Sequence, residues 1–175
     1  MPTDALLPLS LDDHVTLRRW RADDAADVAA ACSDPEIARW IPVPAPYPLN
    51  EARRYIGLTE QWWQAREIYV LCVAENDRAI GSISMRLDRD RPSIGYWLVA
   101  SARGRGIMSR AVRAMARWAG ETLGLHHVWI FVQPANVASR AVAERAGFVE
   151  DAERVTWPDA KERVLYRMAL RTIDA

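Results

Sequence analysis

The sequence predicts an α+β fold in which a mixed, mostly antiparallel sheet of about seven strands is flanked by helices. Three observations carry that expectation. Short β-rich segments recur along the chain and cluster between residues 68 and 99, residues 108–123 show helical apolar spacing, and strand-like and helix-like segments alternate without a linker, repeat or low-complexity tract. With 175 residues there is room for one well-packed core, so one domain over residues 1–175 is expected.

Taken in order, residues 15–20 have strand character. Asp23 and Asp24 then open an alanine-rich helix to Ala31, with acidic residues where the positive end of the helix dipole favours them. Residues 33–48 carry Pro35, Pro42, Pro44, Pro46 and Pro48. Proline fixes φ and lacks an amide hydrogen, so an irregular, semi-rigid loop is expected there. Leu49, Asn50 and Glu51 start a helix to about Ala65, with Ile56 and Trp63 on its apolar side. Residues 68–74 and 79–87 flank Glu75-Asn76-Asp77-Arg78, which suits a hairpin turn, and residues 94–99 follow Pro92 as a third neighbouring strand. Apolar positions 108, 111, 112, 115, 118, 119 and 123 mark the next helix, which Gly124 ends. A strand at 126–132 and a helix from about Ala138 to Gly147 lead to a closing hairpin. Its strands are 153–157 and 163–170 around Pro158-Asp159, with Val164, Tyr166, Met168 and Leu170 alternating on one face.

Composition excludes several classes. The formal net charge is zero and 26% of residues are charged, so no global field draws the chain to nucleic acid or to a membrane surface. Cys32 and Cys72 lie in apolar segments without metal-knuckle spacing or disulfide density, and read as buried free thiols. Neither a secretory leader pattern nor a run approaching about eighteen apolar residues occurs, so a cytoplasmic location is expected.

Chemistry concentrates after Leu98-Val99, where Ala102-Arg103-Gly104-Arg105-Gly106-Ile107-Met108-Ser109 opens a helix. A helix start gathers unpaired N–H groups at the positive end of the dipole, and glycine lets the backbone turn sharply and approach a ligand closely. A phosphate group suits such a place. Between Ser101 and Gly120 there are five arginines and no acidic residue, so the patch is basic within a neutral chain. A Gly-x-Gly turn is nonetheless often only structural, and the arginines also suit a solvated helix face. A Walker-type loop requires Gly-Lys-Ser/Thr, and a dinucleotide fingerprint requires a third glycine and a later acidic residue; neither is present. RNA binding lacks a companion set of aromatic positions.

The run Ile94-Gly95-Tyr96-Trp97-Leu98 followed by Arg103-Gly104-Arg105-Gly106-Ile107-Met108 resembles the acyl-CoA motif of the GNAT acetyltransferase superfamily, Gln/Arg-x-x-Gly-x-Gly/Ala. Met108 replaces the last small residue, as in the branch that resembles ribosomal-protein N-terminal acetyltransferases of the RimJ/RimL type. Downstream, the run from Asn136 through Ser139 to Gly147-Phe148 is similar to the family's Asn-x-x-Ser…Gly-Phe segment. The likeness extends more weakly to most of the chain.

That resemblance implies a V-shaped opening between the fourth and fifth strands, in which exposed main chain holds the pantetheine arm of acetyl-CoA as a missing strand partner would. It implies that the Leu98 or Val99 N–H polarises the thioester carbonyl, and that Arg103, Gly104, Arg105, Gly106, Ile107, Met108 and Ser109 hold the pyrophosphate. Asn136 would position substrate or pantetheine, and Ser139 would protonate the leaving thiolate, although both residues are also favoured helix caps. A tyrosine often found four residues before the Gly-Phe glycine is here Ala143, which leaves Ser139 as donor. Carboxylates that relatives place on the fourth and fifth strands correspond to Ser93 and Phe131, so the base falls to Glu36, Asp88, Asp90 or water. His126 and His127 read as structural. No metal is implied. The acceptor is a primary amine, first a protein or peptide α-amine and second a small molecule, lying against the proline-rich loop, the Trp62-Trp63 helix and the closing hairpin. A non-catalytic coenzyme A sensor is the alternative from another class, and the chain is a monomer or homodimer.

Overall fold

A computed structural model describes residues 7–87, 90–157, 159 and 161–171. The chain begins with β1 (Leu9–Ser10) and β2 (Val15–Arg18), then a 3-10 turn at Ala22–Asp24 that runs into α1 (Ala25–Cys32). α2 (Pro35–Trp40) and α3 (Leu49–Ala65) precede β3 (Ile68–Glu75), β4 (Arg78–Arg86) and β5 (Ser93–Leu98). α4 (Ile107–Leu123), β6 (His127–Val132), α5 (Val137–Ala146), β7 (Val149–Thr156) and β8 (Glu162–Ala169) complete it. The eight strands form one sheet in the order β1-β2-β3-β4-β5-β6-β8-β7, antiparallel throughout except for the parallel β5–β6 pair.

β3 explains why helices cover both faces. Its residues alternate between two apolar layers: Tyr69, Leu71 and Val73 pack with Ala111, Met115 and Trp118 of α4, whereas Val70, Cys72 and Ala74 pack with Val28 and Cys32 of α1 and Ala52 of α3. The hydrophobic stripe expected on residues 108–123 is the face α4 buries, with Trp118 packed against Trp63 and Tyr69, themselves in contact, at centroid distances of 6.0 and 5.2 Å. The β3–β4 hairpin turns at Asn76 and Asp77, both at positive φ (47° and 68°), as a tight two-residue hairpin requires. Arg18 and Asp24, each almost fully enclosed, form a two-pronged ion pair (2.8 and 2.9 Å) that fastens β2 to the start of α1.

The structure corrects the sequence reading in three places. The sheet gains an eighth strand, the two-residue β1, whose Leu9 pairs with Leu17. The proline-rich stretch is not wholly irregular, because α2 forms inside it. Pro35 occupies the first turn, where no amide hydrogen is needed, and the Asp34 carboxylate accepts the Glu36 N–H at 2.9 Å. β7 starts at Val149, four residues before the expected strand, with a register shift between Glu150 and Arg154. Pro158 of the expected closing turn lies outside the described residues.

Candidate active site

The opening forms because β5 and β6 each keep a full-length partner on the far side. β5 pairs with β4 from Ser93↔Arg86 to Leu98↔Gly81, and β6 pairs with β8 from His127↔Ala169 to Val132↔Val164. Between themselves they share one register pair, Ser93↔Trp129, reinforced by the Trp129 N–H donating to Pro92 O at 2.9 Å. Beyond it they splay. The Val99 N–H donates to Ile80 O at 2.9 Å, toward β4. Successive residues of a strand point their amides to opposite edges, so the Leu98 N–H faces the opening. Of the two amides expected there, Val99 is thereby withdrawn and Leu98 remains.

The turn into α4 is built by Gly104 and Gly106, at φ 75° and 71°, a left-handed conformation that costs a residue with a Cβ. The first bond into the helix runs from Arg110 N–H to Gly106 O. Amides from Gly104 to Ser109 donate to no group among the described residues, which leaves them available to an acceptor at the mouth of the opening. The expectation of a strongly basic patch is tempered. Arg103 bridges Leu98 O (2.9 Å) and Asp34 (3.1 Å), Arg105 pairs with Glu75, and Arg110 pairs with Asp12 at 2.9 Å. The bond from Arg105 holds the Glu75 carboxyl below its ordinary range, and the backbone amides of His14 and Val15 do the same for Asp12, helped by Arg110. Carboxylates thus offset three of the five arginines, and backbone dipoles carry much of the remaining attraction for an anion.

Behind this mouth lies a cavity of about 350 Å³. α4 contributes Met108 and Ser109, β5 contributes Tyr96 and Leu98, α5 contributes Asn136 and Ser139, and α2 closes the side with Glu36, Ile37 and Trp40. Of the residues expected at the site, Leu98, Arg103, Gly104, Gly106 through Ser109, Asn136 and Ser139 line this cavity, whereas Val99 and Arg105 do not. Asn136 is the N-cap of α5, its Oδ1 accepting the Ser139 N–H at 3.0 Å, so the capping role foreseen for it is realised while it also faces the cavity. α5 is fixed from behind by the Tyr166 hydroxyl, which accepts from Arg140 Nε at 3.0 Å and reaches Glu144 and Glu150 at 3.1 and 3.2 Å.

Tyr96 was missed. Its hydroxyl lies 2.9 Å from Ser139 Oγ and 3.1 Å from Ser139 O, and burial pushes its phenol up to about 12. The sequence contained the signal, since Tyr96 and Leu98 alternate onto one face of β5, but not which helix that face would meet. α2 was missed as a wall for the reason given above.

Among the base candidates, Glu36 reaches the cavity wall, where its carboxylate accepts the Trp40 indole N–H at 2.7 Å. Asp90 is exposed ahead of β5 at the pinched end of the opening, and β5 itself, about 17 Å from Ser93 to Leu98 at roughly 3.3 Å per residue, separates that end from Leu98. Asp88 lies outside the described residues. Ser93 sits where the strands touch, Phe131 meets Trp157 in a tilted ring contact at 5.8 Å, and His127 lies against Trp129 at 6.0 Å. Cys32 and Cys72 are buried and unpaired, and burial raises both thiols. Among the described residues no His, Cys, Asp and Glu group is arranged to hold a metal, and no helix is long and apolar enough to cross a membrane.

Three comparisons bear on this geometry. A family model described as an acetyltransferase (GNAT) domain matches residues 14–149. An N-acetyltransferase designated p20 from Bacillus licheniformis is 24% identical over 159 residues, 87% of this chain and 89% of that protein. The "Probable N-acetyltransferase YjcK" of Bacillus subtilis is 39% identical over 79 residues, 43% of this chain, a match that spans 44% of that protein's length. In fold, the chain is similar to RimL, the "Ribosomal L7/L12 alpha-N-protein acetyltransferase in complex with Coenzyme A", with a TM-score of 0.85 at 18% identity, covering 95% of this chain and 99% of that one.

Proposed function

This chain belongs to the acetyltransferase (GNAT) domain family, and from that premise we propose that it transfers an acetyl group from acetyl-CoA to a primary amine, by preference a protein or peptide α-amine. The observation that carries the reading is a single opening with a backbone donor, the Leu98 N–H, on one strand, a hydroxyl at Ser139 on the facing helix, and unpaired α4 amides at its mouth. The α4 amides and the Gly104–Gly106 turn fit a pyrophosphate, and the splayed edge of β5 fits the amides of a pantetheine arm.

In this reading the Leu98 N–H donates to the thioester carbonyl oxygen and stabilises the negative charge that develops as the amine nitrogen attacks the carbonyl carbon. As the C–S bond breaks, its electron pair stays on sulfur and Ser139 Oγ supplies the proton. Asn136 holds the Ser139 backbone so that this hydroxyl faces the sulfur. Glu36 accepts the acceptor's ammonium proton, directly or through water. An α-amine, with pKa near ~8, needs less of this help than a lysine near ~10.4. The N-terminal α-amine is preferred because the fold is shared with RimL and because aromatic walls with few acidic anchors suit a polycation poorly.

The test is release of the free coenzyme A thiol from acetyl-CoA in the presence of peptides with free or blocked N-termini, lysine side-chain analogues and small amines. Release that needs a free α-amine supports the proposal. Tight coenzyme A binding with no release from any amine would make the protein a sensor instead.

A further inference from the structure

Two other places yield nothing. The acid-lined hollow bordered by Asp27, Asp34 and Glu75 has each carboxylate already paired with an arginine. The aromatic face of Phe131 and Trp157 carries nothing that says what covers it.

Ser139 is different. A serine or threonine inside a helix commonly turns its hydroxyl back to a carbonyl one turn earlier. That happens here at Thr59, whose Oγ1 donates to Ile56 O at 2.7 Å, and at Ser33 after α1, whose Oγ donates to Ala29 O at 2.8 Å. Ser139 makes no such bond. Asn136 O, one turn back, receives the Arg140 N–H at 3.1 Å, and the hydroxyl partner of Ser139 is Tyr96 on β5 at 2.9 Å. The same phenol reaches Ser139 O at 3.1 Å, while Asn136 Oδ1 takes the Ser139 N–H, so two elements grip the polar groups of one residue at the cavity wall.

We propose that Tyr96 is the positioning residue that makes Ser139 a proton donor: the phenol gives its single hydrogen to Ser139 Oγ, the nearer acceptor at 2.9 Å, rather than to Ser139 O at 3.1 Å, and so turns the serine's own hydrogen toward the departing sulfur. This rests on the acetyl-transfer reading above. As the thioester C–S electron pair moves to sulfur, Ser139 Oγ passes its proton to sulfur and takes the Tyr96 proton in the same event, and the phenolate regains a proton from water as product leaves. The relay matters because an isolated serine hydroxyl is a poor acid, and an alkoxide left in a half-buried site would be costly. Burial keeps the phenol protonated, and hence a donor, across the working pH range.

The test compares wild type, Tyr96→Phe, Ser139→Ala and the double variant in single-turnover acetyl transfer, alongside coenzyme A affinity and thermal melting. Tyr96→Phe is expected to slow transfer about 10- to 100-fold, at or below the bottom of the roughly 10²- to 10⁴-fold of a direct general acid because Tyr96 acts through Ser139, with affinity changed less than about two-fold. The double variant should be no slower than Ser139→Ala, because both act on one proton path. Replacing Tyr96 by 3,5-difluorotyrosine, which keeps shape and hydroxyl but acidifies it, should bring the alkaline loss of activity to lower pH, a change that a mere strut would not produce. A wild type inert toward every amine sinks the transfer reading itself. An active wild type with Tyr96→Phe equally fast, with the two substitutions slowing transfer multiplicatively, or with an unmoved pH profile for the fluorinated protein, overturns the relay.

Discussion

Replacing Gly104 or Gly106 by alanine perturbs the turn on which the anion site depends. Both residues are left-handed, at φ 75° and 71°, a conformation that costs alanine about 1–2 kcal/mol. Steric terms add little. A Cβ on Gly104 meets nothing within 4 Å, and one on Gly106 meets only the guanidinium of Arg110, at the ordinary contact distance of 3.4 Å. The same conformational free energy can appear in either of two observables. If the free variant keeps the turn, stability falls by about 1–2 kcal/mol and affinity is unchanged; if the turn relaxes, stability is kept and coenzyme A must restore it, weakening binding about 5- to 30-fold. The two losses together should therefore come to about 1–2 kcal/mol for either glycine. Urea unfolding gives the first quantity, and quenching of Trp40 and Trp97, which line the cavity, gives the second. Asparagine, which visits the left-handed region more readily, should lose less than alanine at both sites. Alanine variants with unchanged stability and unchanged affinity would refute the role assigned to the turn.

Asp24→Ala removes the two-pronged partner of the enclosed Arg18 guanidinium, leaving it only the exposed Asp77 carboxylate at 3.2 Å as counter-charge, and should cost toward the lower end of about 3–5 kcal/mol in urea unfolding, against under about 1 kcal/mol for an exposed pair such as Arg54 with Glu51. Burial alone would raise the Asp24 carboxyl, but bonds from Arg18 and the Arg21 amide bring it below its ordinary value. Its contribution to stability is thus fully present above the unfolded-state value of roughly 3.9 and is lost as pH falls through the lower folded value; acid titration of Asp24→Asn should lack that part of the loss. Trp118→Ala removes a fully buried ring packed against Trp63 and Tyr69 and should destabilise by about 3–5 kcal/mol, with loss of near-ultraviolet circular dichroism. Asn136→Ala removes the α5 cap at about 1 kcal/mol and frees the Ser139 backbone, so transfer should slow more than coenzyme A binding weakens.

Where local pattern and tertiary packing agreed, the sequence was legible. α4 has apolar residues at helical spacing, a glycine at each end and one face to bury, and its bounds differ from the expected 108–123 by one residue. The pairing of β3 with β4 was visible because Asn76 and Asp77 accept the positive φ of a tight turn. α2 was hidden because prolines read as breakers, whereas Pro35 lies in the one helical turn that tolerates it. β1 is two residues long and too short for alternation to register, and most of β7 is exposed, so its pattern has no buried face to reveal it. At the site, the glycines, Leu98, Asn136 and Ser139 were marked by a motif. The Tyr96–Ser139 contact spans 43 positions and depends on where α5 packs, which neither residue's neighbours encode. The neutralisation of Arg103, Arg105 and Arg110 likewise comes from Asp34, Glu75 and Asp12, each remote in sequence.

A structure with coenzyme A bound tests the central claim most directly. Pantetheine is expected in the opening between β5 and β6, with the coenzyme's pyrophosphate on the amides of Gly104 to Ser109 and its sulfur between the Leu98 N–H and Ser139 Oγ, Tyr96 still bonded to that oxygen. Coenzyme A seated elsewhere, or a sulfur beyond hydrogen-bonding reach of Ser139, would contradict it.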